Sequence, residues 1–150
     1  MLKKIIIAAL LLSTALSQSV SAQTDVGASP VLLLVPALSA SVEQGINDFW
    51  GVEGNLFAAE GGLLLTVAGK HYLSPKRGAD RFNIGLFLGG ASELGAGGGF
   101  LFGYKAVSEK NLLFDIGLGV GRTIGGEGII PYFKINFGYR FGGDETGELP

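Results

Sequence analysis

Apolar and other positions alternate with a period of two along most of this chain. The stretches run for about ten residues each and are separated by turn-forming residues. In "KINFGYRF" (134–141), Ile135, Phe137, Tyr139 and Phe141 fall on one face, and Lys134, Asn136, Gly138 and Arg140 on the other. "NLLFDIGLGVGR" (111–122), "GGGFLFGYKA" (97–106) and "RFNIGLFLGGA" (81–91) repeat the pattern. "GLLLTVAGKHY" (62–72) and "DFWGVEGNLFA" (48–58) are less regular but of similar length. Between them lie "AEGG", "SPKRGAD", "SELGAG", "VSEK" and "IGGEG", rich in the residues that turns favour. Upstream, Pro36 divides residues 31–44 into "VLLLV" (31–35) and "ALSASVEQ" (37–44), because proline lacks the N–H that a ladder needs. No segment beyond residue 22 carries helical periodicity. The pattern predicts eight antiparallel strands joined by short connections.

Alternation does not say which face meets solvent, and the less apolar face decides. On a water-soluble barrel it would be dense with charged and hydroxyl side chains. Here it is mostly glycine, with about one charge per strand. Such a face suits the interior of a narrow eight-stranded barrel, whose lumen is just wide enough for side chains to fill. The expected fold is therefore all-β, an antiparallel up-and-down transmembrane β-barrel over residues 31–141. Residues 23–30 are expected as an N-terminal lead-in and 142–150 as a polar acidic tail. Placing Phe141 at the periplasmic edge and alternating strand directions brings Trp50, Phe82, Tyr104, Tyr139 and Phe141 outward near that edge. That is the place for an interfacial aromatic girdle.

The first residues agree with export. Lys3 and Lys4 precede the apolar "IIIAALLL" (5–12), and Val20-Ser21-Ala22 supplies the small residues of a signal-peptide cleavage site, between Ala22 and Gln23. The apolar run is shorter than the roughly 20 residues of a spanning helix. Removing residues 1–22 takes away two lysines, so the formal net charge moves from −2 to −4. No basic run is present to neutralise phosphates, which excludes a nucleic-acid partner. With no Cys in the sequence, no disulfide or lipidated cysteine is available. Glycine is the unusual number, 26 of 150 residues, and it sits within apolar stretches and not in polar linkers.

The chain resembles small bacterial outer-membrane β-barrels of the OmpA/OmpX-like type, a group that includes many uncharacterised barrel domains. The resemblance rests on "GYKAVSEKNLLFDIGLGVG" (103–121), which looks like a strand–turn–strand of that group, and on "KINFGYRF". The latter is similar to the terminal-strand signal read by the barrel-assembly machinery, with a polar Lys134 and the aromatic pair Tyr139 and Phe141. Asn136 stands where that signal usually has glycine, and "GGDETGELP" (142–150) follows where such chains usually stop. The resemblance implies an outer-membrane location, with membrane lipid and the assembly machinery as partners.

Candidate chemistry is sparse, and no cofactor motif is present. His71 is the only histidine, and the residues after it, Tyr72 and Leu73, depart from the His-x-Ser pattern that outer-membrane lipid-A deacylases show. It is expected to face outward near the periplasmic interface. One His without Cys argues against a transition-metal site. The glycine runs at 95–103 and 117–128 follow strands but open no helix, so they do not fit a phosphate loop. The inward charges are more telling. Glu43, Glu53 and Asp115 are expected to meet Lys70, Lys105, Lys134 and Arg140 in the periplasmic half, with Asp115 between Lys134 and Arg140. Buried charges must pair, so these should form a plug. In the outer half Gly89, Gly97, Gly99, Gly117, Gly119 and Gly121 face inward, with Phe57, Phe87 and Tyr132 expected to lean over them. The expected role is structural or interactive and not enzymatic. The alternatives are an exported soluble barrel holding a small apolar ligand in its lumen, and a membrane-embedded lipid-modifying enzyme.

Overall fold

The computed structural model describes residues 23–30, 37–60, 62–92, 95–125 and 128–142. Eight strands close into one antiparallel barrel in sequence order: β1 (Thr24–Ala28), β2 (Ala37–Gly45), β3 (Trp50–Ala59), β4 (Gly62–Leu73), β5 (Arg81–Ala91), β6 (Gly95–Val107), β7 (Leu112–Thr123) and β8 (Ile129–Phe141). The first strand differs from the one expected. Thr24–Ala28, within the stretch read as a lead-in, pairs with β2 on one side and β8 on the other and so closes the barrel. Its five residues, two of them glycine and alanine, are too few to show a period. Residues 31–36, where a strand was expected, lie outside the described residues. So do Ala22 and the residues before it, and residues 143–150 of the tail.

The stagger of the strands sets where the lumen residues lie. Stepping sideways from Arg140, paired residues run through Asp25, Glu43, Glu53, Ala68, Phe87, Gly99 and Gly121 and return to β8 at Ile130. The circuit comes back 10 residues further along β8. With eight strands this stagger corresponds to a tilt of about 40°, within the usual range for barrels. Because the stagger is even, a residue that faces inward meets only inward-facing neighbours all the way round. One row therefore climbs from charged side chains at the end holding both termini (the terminal end) to aromatic and aliphatic ones at the other (the distal end).

The β1–β8 seam, like β1–β2, has only five residue pairs, and Gly27 faces Gly138 next to its centre. A side chain on Gly138 would run into the Val26 carbonyl oxygen and lie 2.7 Å from the Gly27 Cα. Both obstacles are backbone, so neither can swing away. Gly138→Ala should therefore lower stability by about 1–3 kcal/mol. Gly54 on β3, which has nothing within 4 Å of an added Cβ, serves as the control. Urea midpoints of the two alanine variants in detergent micelles check this, and equal midpoints would count against a tight seam.

Candidate functional site

Inward positions of seven of the eight strands, all but β5, converge on one network of ions in the terminal half of the lumen. Asp25, Glu43, Glu53 and Asp115 supply four carboxylates, and Lys70, Lys105, Lys134 and Arg140 four cations, all buried. Glu43 and Glu53 are direct cross-strand partners, an arrangement that repels unless something stands between them. Lys70 does so, with its Nζ 2.9 Å from Glu43 and 2.6 Å from Glu53. The Lys134 ammonium lies 2.5 Å from both Glu53 and Asp115. Lys105 reaches Asp25 at 2.7 Å and Glu43 at 2.8 Å. Arg140 grips Asp25 with two prongs, Nε to Oδ1 at 2.6 Å and Nη2 to Oδ2 at 2.7 Å. Two phenols complete the set. Tyr72 donates to Glu43 at 2.5 Å and Tyr132 to Glu53 at 2.7 Å. Charge-assisted bonds of this kind are the stronger class of hydrogen bond.

All seven charges expected in the lumen thus lie there, and of the two cations flanking Asp115 it bonds one, Lys134, at 2.5 Å. Asp115 does not reach Arg140. The register sets Asn136 opposite Asp115, so Lys134 is two residues away along β8 and Arg140 four, or about 13 Å of strand for the latter. Asp25, by contrast, lies directly opposite Arg140. The sequence reading missed Asp25 because it sits in the short β1. It also missed the hydroxyl of Tyr72, although the inward parity of Lys70 on the same strand could have revealed it.

The carboxylate oxygens of Glu43, Glu53 and Asp115 lie within 4.8 Å of one another, a donor set that could hold a cation. Lys70 already provides one there: its Nζ is 2.9, 2.6 and 3.6 Å from the three. The tethered ammonium takes the place a free ion would need.

At the terminal end the connection between β4 and β5, residues 74–80, folds under this network. Arg140 donates to the Arg77 carbonyl and, at 2.9 Å, to that of Ala79. The Gln23 carboxamide accepts from the Ala79 N–H at 3.1 Å, and Asp80 accepts from Lys76 N–H at 2.6 Å. Toward the distal end the lumen turns apolar, with Ala68, Phe87, Leu101, Ile130 and Tyr132 in one cluster. The Phe87 and Tyr132 rings lie 5.3 Å apart. They cover glycines: Phe87 comes within 2.9 Å of a Cβ placed on Gly121, and Tyr132 within 3.2 Å of one on Gly117. Phe57, expected to share this task, is only half-buried and stands outside the cluster. On the wall of β1 to β4 the lining is polar. Ser39 donates to Asn55 at 3.3 Å, and Asn136 to Ser41 at 2.7 Å. Asn136 thus holds β8 to β2 across the short β1.

Trp50, Phe82, Tyr104, Tyr139 and Phe141 all point away from the lumen in its terminal half. Phe82 packs on Tyr104 at 4.9 Å and Tyr139 on Phe141 at 5.0 Å. His71 belongs to this outer belt, its ring 4.6 Å from that of Trp50 and 6.4 Å from that of Phe49. It therefore takes no part in the lumen network. Among the described residues the lumen brings together no nucleophile with a base and an orienting acid. Its ammonium groups are all engaged with carboxylates. Compared with known proteins, the chain matches no family model, and no curated protein or solved structure is detectably similar to it.

Proposed function

We propose that the protein is a small integral barrel of the outer-membrane type, with a structural or interaction role, a lumen closed by its own side chains, and no catalysis. One observation carries this reading. Among the described outward positions of the eight strands, Arg122 at the distal rim is the only formally charged side chain. Large apolar residues fill the face below it, with Phe100 73%, Leu88 68% and Phe82 64% exposed. In water this would be an apolar surface wrapped round the whole molecule, far beyond what soluble monomers show. In lipid it is the band such a barrel needs. From Ile129 to Tyr139 along the tilted β8 the band rises about 25 Å, the height typical of these proteins. The signal-like residues 1–22 would direct the chain to the cell envelope. Membrane lipid is then the principal partner, and β8 is the strand offered to the assembly machinery. The ring-filled distal lumen argues against room for an apolar ligand.

Membrane fractionation tests the proposal. The expected result is resistance to carbonate extraction and heat-modifiable migration in mild detergent. Recovery in the soluble periplasmic fraction would overturn it.

A further inference from the structure

The buried strand charges divide unequally between the two halves of the chain. β1 to β4 contribute Asp25, Glu43 and Glu53 against a single base, Lys70, a net −2. β5 to β8 contribute Lys105, Lys134 and Arg140 against a single acid, Asp115, a net +2. The contacts follow this division. Lys105 reaches Asp25 and Glu43 at 2.7 and 2.8 Å, Lys134 reaches Glu53 at 2.5 Å, and Arg140 reaches Asp25 at 2.6 Å, all from one half to the other. The odd residue of each half is held close by its own side, Lys70 by Glu43 and Glu53, Asp115 by Lys134. The Tyr132 hydroxyl adds a further link across, to Glu53 at 2.7 Å.

We infer that this division selects the partner against which each half-barrel closes. Joining β1–β4 to β5–β8 encloses a neutral lumen. Joining two N-terminal halves or two C-terminal halves, when two unfolded copies meet, encloses twice the charge of one sign with nothing to compensate it. Burying unpaired charge is strongly unfavourable, so like-with-like closure is rejected while the correct closure is rewarded. The outward face cannot make this distinction, because it is apolar on every strand. Within the five-pair seam the one charged pair is Asp25 with Arg140, and both belong to the lumen network. Sorting therefore falls to the lumen. The inference concerns the lumen alone and stands apart from the membrane placement.

Charge exchange in the full chain tests it. Asp25→Arg with Glu53→Lys turns the N-terminal half to +2 facing +2, and Lys134→Glu with Arg140→Asp turns the C-terminal half to −2 facing −2. Each pair of changes should cut the yield of monomeric, protease-resistant barrel on refolding, with or without micelles as the unmodified chain requires, at least about tenfold. Combining all four restores opposite halves and should bring the yield back to within about threefold of the unmodified chain. Equal failure of the combined variant, or normal refolding of either pair alone, overturns the inference. A second variant covers the case in which reversed charges are simply not tolerated. Asp25→Asn, Glu53→Gln, Lys134→Gln and Arg140→Gln leave both halves neutral, and should raise the fraction of cross-linkable dimers after refolding at high concentration about fivefold. A dimer fraction equal to that of the unmodified chain overturns it as well.

Discussion

Replacing Glu53 with alanine should lower the stability of the barrel by about 3–5 kcal/mol, the range for removing one partner from a buried ion network. Glu53 is 1% exposed and receives Lys70 at 2.6 Å, Lys134 at 2.5 Å and the Tyr132 hydroxyl at 2.7 Å. Without it the four cations face three carboxylates, and the Tyr132 hydroxyl loses its acceptor. Asp115→Ala should cost less, since Lys134 would keep Glu53 and Lys70 stands 3.6 Å from Asp115 already. The comparison that gives the number meaning is Glu109→Ala. The Arg77–Glu109 pair at 3.3 Å joins two exposed loops, and its loss should cost under about 1 kcal/mol. Urea midpoints in micelles would give the three values. Adding Lys134→Met to Glu53→Ala should recover part of the loss, because the removed ammonium no longer needs a second partner. A Glu53→Ala midpoint no lower than that of Glu109→Ala would mean that water reaches the lumen and screens its charges.

The reason so much of this network could be read from sequence is parity. Once the period of two is recognised, Lys134 and Arg140 must share a face with Asn136 and Gly138, and Glu53 must share one with Gly51 and Asn55. The sign of the face followed from its glycine content. Pairing was harder to read, because it depends on register, which is fixed by turns and by the stagger of the whole barrel and not by any one strand. By strand depth alone Asp115 falls midway between Lys134 and Arg140, but the register sets it opposite Asn136, two residues from Lys134 and four from Arg140. Asp25 escaped for a different reason. "TDVGA" offers one charge and one valine among small residues, a pattern as common in loops as in strands. Its place in the barrel is set by what the long strands leave open: β2 and β8 lie with room for one more strand between them, and Thr24–Ala28 fill it. Phe57 shows a third limit. Parity turned it inward correctly, but packing against Phe87 and Tyr132 also needs matching height, and height round a barrel tilted by about 40° is not strand depth.

The other large effect belongs to the outer face. Phe102 lies midway along β6, is 59% exposed, and is flanked in its row by Ile84 on β5 and Leu118 on β7. If this face meets lipid, Phe102→Arg places a cation near the middle of the hydrocarbon, at a cost of about 2–4 kcal/mol. Phe141→Arg, at the terminal edge of β8, puts the same charge where the side chain can reach water and headgroups, and should cost about 0–1 kcal/mol. Phe137, four residues further in and packed at a tilt against Phe114 with ring centres 5.0 Å apart, should fall between the two. What matters is the gradient, since no soluble protein has a reason to penalise an exposed arginine by its depth along a strand. The measurement is the urea midpoint of each variant folded into lipid vesicles, with the fraction assembled in cells as a second reading. In a barrel whose outer face is wet, all three substitutions would lie within about 0.5 kcal/mol of the unmodified protein, as surface changes normally do. A flat series would therefore sink the membrane reading while leaving the lumen network untouched, because the lumen charges would be as buried behind a soluble wall as behind a lipid-facing one.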